Sequence, residues 1–218
     1  MNQFIKILIV STSVLVISCS KDKDLILPDT RLPLPAALEN NTVQNIPDGI
    51  PNRPGGSYAG SDANPGIIES KIIIEKEGII ADVNKVNIEI DVSHPHCGDI
   101  VVELISPNGE SCGLIKRIGS TTDNSAGSLS DFIGGNKLVF NASNSIPIQA
   151  GTNIAAGNYA PTSGASTFPI NIPMSSLNTF LISKNIKGIW KIKVYDYGYG
   201  DTGSLNSWKL TFEVGALQ

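Results

Sequence analysis

The residues of this chain best suited to chemistry are a few carboxylates and two histidines. The stretch VYDYGYGDTGSLNSWKLTF, residues 194–212, sets Asp196 and Asp201 among Gly198, Gly200 and Gly203. Upstream, SHPHCGD, residues 93–99, carries His94, His96 and Asp99. Asp201-Thr202-Gly203 has the form of an aspartic-protease motif, but that chemistry needs two such carboxylates sharing one proton, and the chain holds a single copy. A serine triad is no better served. His94 and His96 are the only histidines, Pro95 stiffens the segment between them, and no Gly-x-Ser-x-Gly elbow occurs. His94 reads instead as a strand-end residue hydrogen-bonding a sheet rim. Carboxylates beside glycines that let backbone carbonyls curl inward are the oxygen donors that calcium prefers. Cysteine and histidine are too few and too scattered for zinc, and the spacing does not follow an EF-hand register. The same aspartates also suit Asx hydrogen bonds that merely cap turns.

The elements that must position these residues follow from hydropathy. In VNIEIDV, residues 86–92, Val86, Ile88, Ile90 and Val92 fall on one face and Asn87, Glu89 and Asp91 on the other. The same period of two places Ile100, Val102 and Leu104 together, then Trp190, Ile192 and Val194, then Trp208, Leu210, Phe212 and Val214. Such alternation marks strands with one buried face. Asn108-Gly109 supplies a hairpin turn between Ser106 and Ser111. Helical periodicity is nearly absent apart from a short turn near 175–180. Two sheets packed on their apolar faces satisfy this pattern, so the expected fold is all-β, an antiparallel β-sandwich. Trp190 and Trp208 lie on the apolar phase and read as core rather than as sugar-stacking platforms. Tyr195, Tyr197 and Tyr199, on or beside the glycine-rich loop, are the expected partner-binding surface.

The 218 residues carry a net charge of -4 and no basic patch, which argues against nucleic acid as a partner. The N-terminus gives an address. Lys6 precedes an apolar run from Ile7 to Ile17, which is shorter than the roughly 20 residues that span a bilayer and reads as a secretory signal. It ends in Val16-Ile17-Ser18-Cys19, which resembles a bacterial lipoprotein cleavage box with Cys19 as the lipidated residue. Ser20-Lys21-Asp22-Lys23-Asp24 is similar to the charged surface-export signal of Bacteroidetes lipoproteins. The implied protein is an exported lipoprotein of the outer membrane or cell surface, held to the membrane through its N-terminal lipid. Residues 1–18 are then signal peptide, and 19–45, with Pro28, Pro33 and Pro35, a flexible tether. The domain proper is expected over 46–216. Export permits a disulfide between Cys97 and Cys112, but the hairpin sets Cys112 opposite Glu103 or Leu104. At about 3.4 Å per residue that offset exceeds the roughly 7 Å a bridge tolerates, so two free thiols are expected.

Several segments resemble one family. VNIEIDVSHPHCGDIVVELISPNGE is similar to the P/Homo B domain that follows the catalytic domain of subtilisin-like proprotein convertases, with His94, Gly98, Asp99, Ser106, Pro107 and Gly109 at the motif positions and Ile100 in place of a leucine. LIKRIG, GNYAP and GIWKIKVYDYGYGDTGSLNSWKLTF continue the likeness. The resemblance implies a jelly-roll, galactose-binding-like sandwich in which Asp99, Asp196 and Asp201 meet at one rim to bind Ca²⁺. It also implies a non-catalytic binding or stabilising module whose protein partner is a separate peptidase or a surface protein. A carbohydrate-binding jelly roll is the alternative, and a protease the remote one. Phe140-Asn141-Ala142 stands where the family often has Phe-Asp-Asp, so an acid is missing, although the Asn141 amide oxygen retains donor capacity. No Gly-Thr-Ser nucleophile segment occurs, and what precedes residue 67 is too short for a subtilisin-type domain.

Overall fold

Strands with one apolar face need a second sheet to cover it, and in the computed structural model, which describes residues 36–52, 54, 59–151 and 153–218, two sheets do so. The strands are β1 (Ala36–Asn40), β2 (Gln44–Ile46), β3 (Ile50–Pro51), β4 (Ala63–Asn64), β5 (Gly66–Ile74), β6 (Val86–Ser93) and β7 (Ile100–Ile105). They continue as β8 (Ser111–Lys116), β9 (Leu138–Phe140), β10 (Gly157–Tyr159), β11 (Thr162–Ser163), β12 (Gly188–Asp196) and β13 (Gly203–Phe212). A six-stranded sheet has the order β1-β13-β6-β9-β10, with β2 also paired to β13. A five-stranded sheet runs β11-β8-β7-β12-β5, and β3 pairs with β4 alone. The molecule is a β-sandwich. It is not wholly antiparallel, because β10 joins β9 and β11 joins β8 in parallel. The one α-helix among the described residues, α1 (Leu177–Leu181), starts where Ser176 accepts a hydrogen bond from the Thr179 N–H.

The alternating faces meet as expected. Ile88, Ile90, Val102, Leu104, Trp190, Ile192, Trp208 and Phe212 share one buried cluster. Each tryptophan N–H finds an acceptor, Trp208 on the Ser70 hydroxyl across the sandwich at 3.0 Å and Trp190 on the Ile186 carbonyl at 2.9 Å. In β13 the register against β6 shifts between Leu205 and Ser207. This bulge lets Leu205 and Trp208, an odd number of residues apart, point into the same core. Val214, placed with the core by periodicity, lies beyond the end of β13 and is exposed.

Two expectations change. Residues 36–45, expected in the tether, supply β1 and most of β2, which pair with β13; the sandwich therefore starts earlier than residue 46. The signal peptide, Cys19 and the tether up to residue 35 lie outside the described residues. Tyr195 and Tyr197, expected at the surface, are buried, because the segment around Phe168 and Ile172 covers the outer face of the five-stranded sheet. There Tyr195 donates its hydroxyl to Glu103 at 2.7 Å, Tyr197 meets Phe168 edge-on, and the Lys116 ammonium donates to the Ile172 carbonyl. Tyr199 alone of the three is exposed. Cys112 pairs in register with Leu104, and it and Cys97 are buried free thiols.

Asn141 sits beside the start of β6, since Phe140 pairs with Ile88. His94 follows the other end of that strand, some eight residues or about 25 Å away, so Asn141 is no part of a site at that rim. Its amide donates to the carbonyls of Asn84 and Val86 and to the Asn87 side chain, while its oxygen accepts from Ser143. Asn141→Asp, which restores the family's acid, will therefore lower stability by about 1–3 kcal/mol, because a carboxylate has no N–H for those two carbonyls. Urea unfolding measures it; unchanged or raised stability would show that the clamp is not what Asn141 provides.

Candidate functional site

The rim is built where β6 ends and β12 ends. His94, one residue past β6, is held by two backbone hydrogen bonds to Phe132, at 3.0 and 2.8 Å. Its ring turns inward, and Nε2 lies 3.0 Å from Oδ2 of Asp196, the last residue of β12, with both side chains fully buried. Nδ1 lies 2.9 Å from the His96 carbonyl and 3.1 Å from the His96 N–H. As an imidazolium the ring donates to that carbonyl, and as the Nε2–H tautomer it accepts from that N–H. Either way Nε2 donates to Asp196. Burial alone lowers the basicity of His94, but the hydrogen bond and charge of Asp196 outweigh it and the net displacement is upward. The other Asp196 oxygen accepts from the Gly198 N–H at 2.9 Å, so both oxygens of this carboxylate are engaged.

Two loops leave this pair. A tight turn from His96 to Asp99, closed by the Asp99 N–H on the His96 carbonyl, stacks the two side chains. The loop 197–202 is stitched alongside it: the Tyr197 N–H donates to the Asp99 carbonyl at 2.9 Å, and the Gly60 N–H donates to Tyr197 at 2.8 Å. Close approach explains two glycines. A Cβ on Gly198 would stand 2.2 Å from the Asp99 carboxylate, and one on Gly203 would stand 2.2 Å from the Ser93 carbonyl and 2.7 Å from the His94 ring. Asp48 accepts from the Gly200 N–H with both oxygens, at 3.0 Å each, and holds the loop tip.

Of the three predicted carboxylates, buried Asp99 and half-exposed Asp201 come together at the rim pocket, and Asp196 lies beneath them in the service of His94. The group that gathers them is His96, whose Nδ1 stands 3.1 Å from Asp201 Oδ2 and 3.6 Å from Asp99 Oδ2. These residues line a pocket of ≈ 300 Å³ with Ala59, Ala126, Leu129 and Tyr199. A catalytic reading of the two histidines does not mark His96 as a ligand. The usable signal was the His-x-x-Asp spacing, which a tight turn converts to contact. Calcium's preference for six to eight oxygens meets here, among the described side chains, two carboxylates and a nitrogen, since Asp196 is spent and Asn141 is at the other rim. This side-chain donor set, with its imidazole, does not fit calcium.

The class these features define is a β-sandwich with a buried histidine–aspartate pair at one rim. The family model of the proprotein convertase P-domain matches residues 83–135 and 170–212, and over that span the chain belongs to the P-domain family. It is 23% identical over 184 residues to leupeptin-inactivating enzyme 1 of Streptomyces exfoliatus, a match covering 84% of this chain and 27% of that protein. Among solved structures it is similar to the serine protease of Aeromonas sobria, at 16% identity and a TM-score of 0.33 over 84% of this chain and 28% of that one. The complex of that protease with its chaperone gives 12% identity and a TM-score of 0.32, with the same coverage. The chain thus spans about a quarter of the length of these proteins.

The Asp99 carboxyl is pushed up to about 6, first by burial and then by the charge of Asp196, with His94, His96 and Arg117 offsetting part of it. A raised carboxyl pKa means the folded state holds the proton more tightly than the unfolded one. Stability present below the ordinary value of 3.8 is lost as pH rises through about 6. In chelator-treated buffer, Asp99→Asn should therefore exceed the parent chain in stability at pH 7.5 by on the order of 1–3 kcal/mol, and the excess should vanish near pH 4. Denaturant titrations at the two pH values measure this; a less stable variant at pH 7.5 would contradict it.

Proposed function

We propose that this protein is a non-catalytic, lipid-anchored module of the bacterial cell envelope that binds and stabilises a separate peptidase. The observation that carries the reading is the P-domain match over residues 83–135 and 170–212, in a chain whose candidate catalytic groups are already committed. His94 is sealed from solvent with both ring nitrogens engaged. Among the described residues, none that lines the pocket with His96 is a serine, threonine or cysteine. Cys97 is buried, and burial pushes its thiol up, away from the reactive thiolate. The carbohydrate-binding alternative loses its best platforms, because Trp190 and Trp208 are 1% exposed. Tyr199, 53% exposed beside the pocket, is the tyrosine left for partner contact.

The anchor rests on the apolar run from Ile7 to Ile17 and on Cys19. Several acyl chains, unlike one, hold a protein firmly to a membrane. Expressed in its native envelope, the chain should carry lipid on Cys19 by mass spectrometry and sediment with membranes, and Cys19→Ala should move it to the soluble fraction. A mature chain without lipid overturns the anchoring. The purified chain should not cleave casein, and a photo-cross-linker at position 199 should trap a peptidase in the envelope. Casein cleavage lost in Asp201→Ala would instead establish an enzyme, and adducts confined to glycan would favour the carbohydrate-binding reading.

A further inference from the structure

The cluster at the rim has two properties that an ordinary ion pair does not require. The first is convergence: one ligand atom each from His96, Asp99 and Asp201 lie within 4.8 Å of one another. Three donors held about 2.1 Å from one ion in tetrahedral geometry stand about 3.4 Å apart, and the distances of 3.1 and 3.6 Å from His96 Nδ1 straddle that value. The second is the state of Asp99. Its side chain is 6% exposed, yet among the described residues its carboxylate has no hydrogen-bond donor, only the His96 nitrogen at 3.6 Å. One side of it rests on the Cα of Gly198, where even a methyl group would collide. The other faces the pocket it lines with His96 and Asp201. A buried carboxylate without a donor is costly, and a cation between these three side chains supplies what is missing.

We propose that His96, Asp99 and Asp201 form a binding site for a divalent cation of the zinc class, held through His96 Nδ1 and one carboxylate oxygen from each aspartate. The imidazole decides the class. Calcium and magnesium take oxygen, whereas zinc and its first-row neighbours take imidazole and carboxylate together. Three protein ligands leave a coordination position open to water on the pocket side. The supports are already in place: His94 Nδ1 holds the backbone of His96, through its carbonyl or its N–H according to protonation, and Asp48 holds the loop that presents Asp201. His94 and Asp196 position the ligands and do not bind the ion. This site is independent of the peptidase-module reading, since it needs no partner.

The test uses the tag-free purified chain stripped with chelator. Zn²⁺, Mn²⁺ and Ca²⁺ are compared by calorimetric titration and thermal melting, and Co²⁺ by its visible absorption. Zn²⁺ should bind with one ion per chain and raise the melting temperature, Ca²⁺ at equal concentration should not, and Co²⁺ should show the spectrum of a nitrogen-containing site. His96→Gln, with a side chain 35% exposed in the parent, should fold and weaken Zn²⁺ binding more than about tenfold, the scale on which even outer partners of a metal act. Asp201→Asn is the second variant and should do likewise. Zn²⁺ affinity unchanged in both variants, calcium binding that survives His96→Gln, or no Zn²⁺ binding at all would each overturn the proposal.

Discussion

The architecture of the rim depends on one buried histidine–aspartate hydrogen bond. His94 leaves the six-stranded sheet and Asp196 ends the five-stranded sheet, so the 3.0 Å contact between them joins the two layers at their edge. Two groups of this kind, removed from water, repay their desolvation only when every remaining lone pair and proton is also satisfied. Here Gly198 serves the second Asp196 oxygen and His96 the second ring nitrogen. The partners of the pair are thus the backbones of the two loops that carry His96, Asp99 and Asp201. Satisfying the pair and positioning those three side chains are the same event.

The second constraint is the covering of the outer face of the five-stranded sheet. Val101, Glu103, Tyr195 and Tyr197 would face water in a bare sandwich, but Phe168 and Ile172 lie over them. Glu103 on that face accepts from Tyr195, and Lys116 and Arg117 donate to backbone carbonyls, while Arg117 Nε is buried without a partner among the described residues. With this face closed, the loops beside it carry the pocket residues, where side chains act without disturbing packing. The pocket beside Tyr199 lies among them, over the joint between the sheets.

Much of this was legible in the sequence, for physical reasons that also explain the misses. Alternation identified β6, β7, β12 and β13 and their inward faces, because a period of two has no other reading at that length. The hairpin at Asn108-Gly109 fixed the register that keeps Cys97 and Cys112 apart. The strand β1 was not visible: Ala36 to Asn40 follow prolines without a lasting period, and what makes them a strand is the free edge of β13. Tyr195 and Tyr197 looked exposed because strand phase does not reveal a segment folded over the outer face. Asn141 was assigned to the wrong rim because a motif position does not say at which end of β6 it falls. The gathering of Asp99 and Asp201 was foreseen, but Asp196 was counted as a third ligand when its neighbour His94 claims it. His96 was judged as a catalyst, and only the turn to Asp99 shows it to be a potential ligand.

The central claim is that His94 and Asp196 act as one unit joining the sheets. A double-mutant cycle with His94→Gln, Asp196→Asn and the pair, measured by denaturant unfolding at pH 6 in chelator, tests it most directly. The account predicts a coupling free energy of about 2 kcal/mol or more, toward the upper part of the range for contacting residues. Effects additive to within about 0.5 kcal/mol, as for residues far apart, would contradict it.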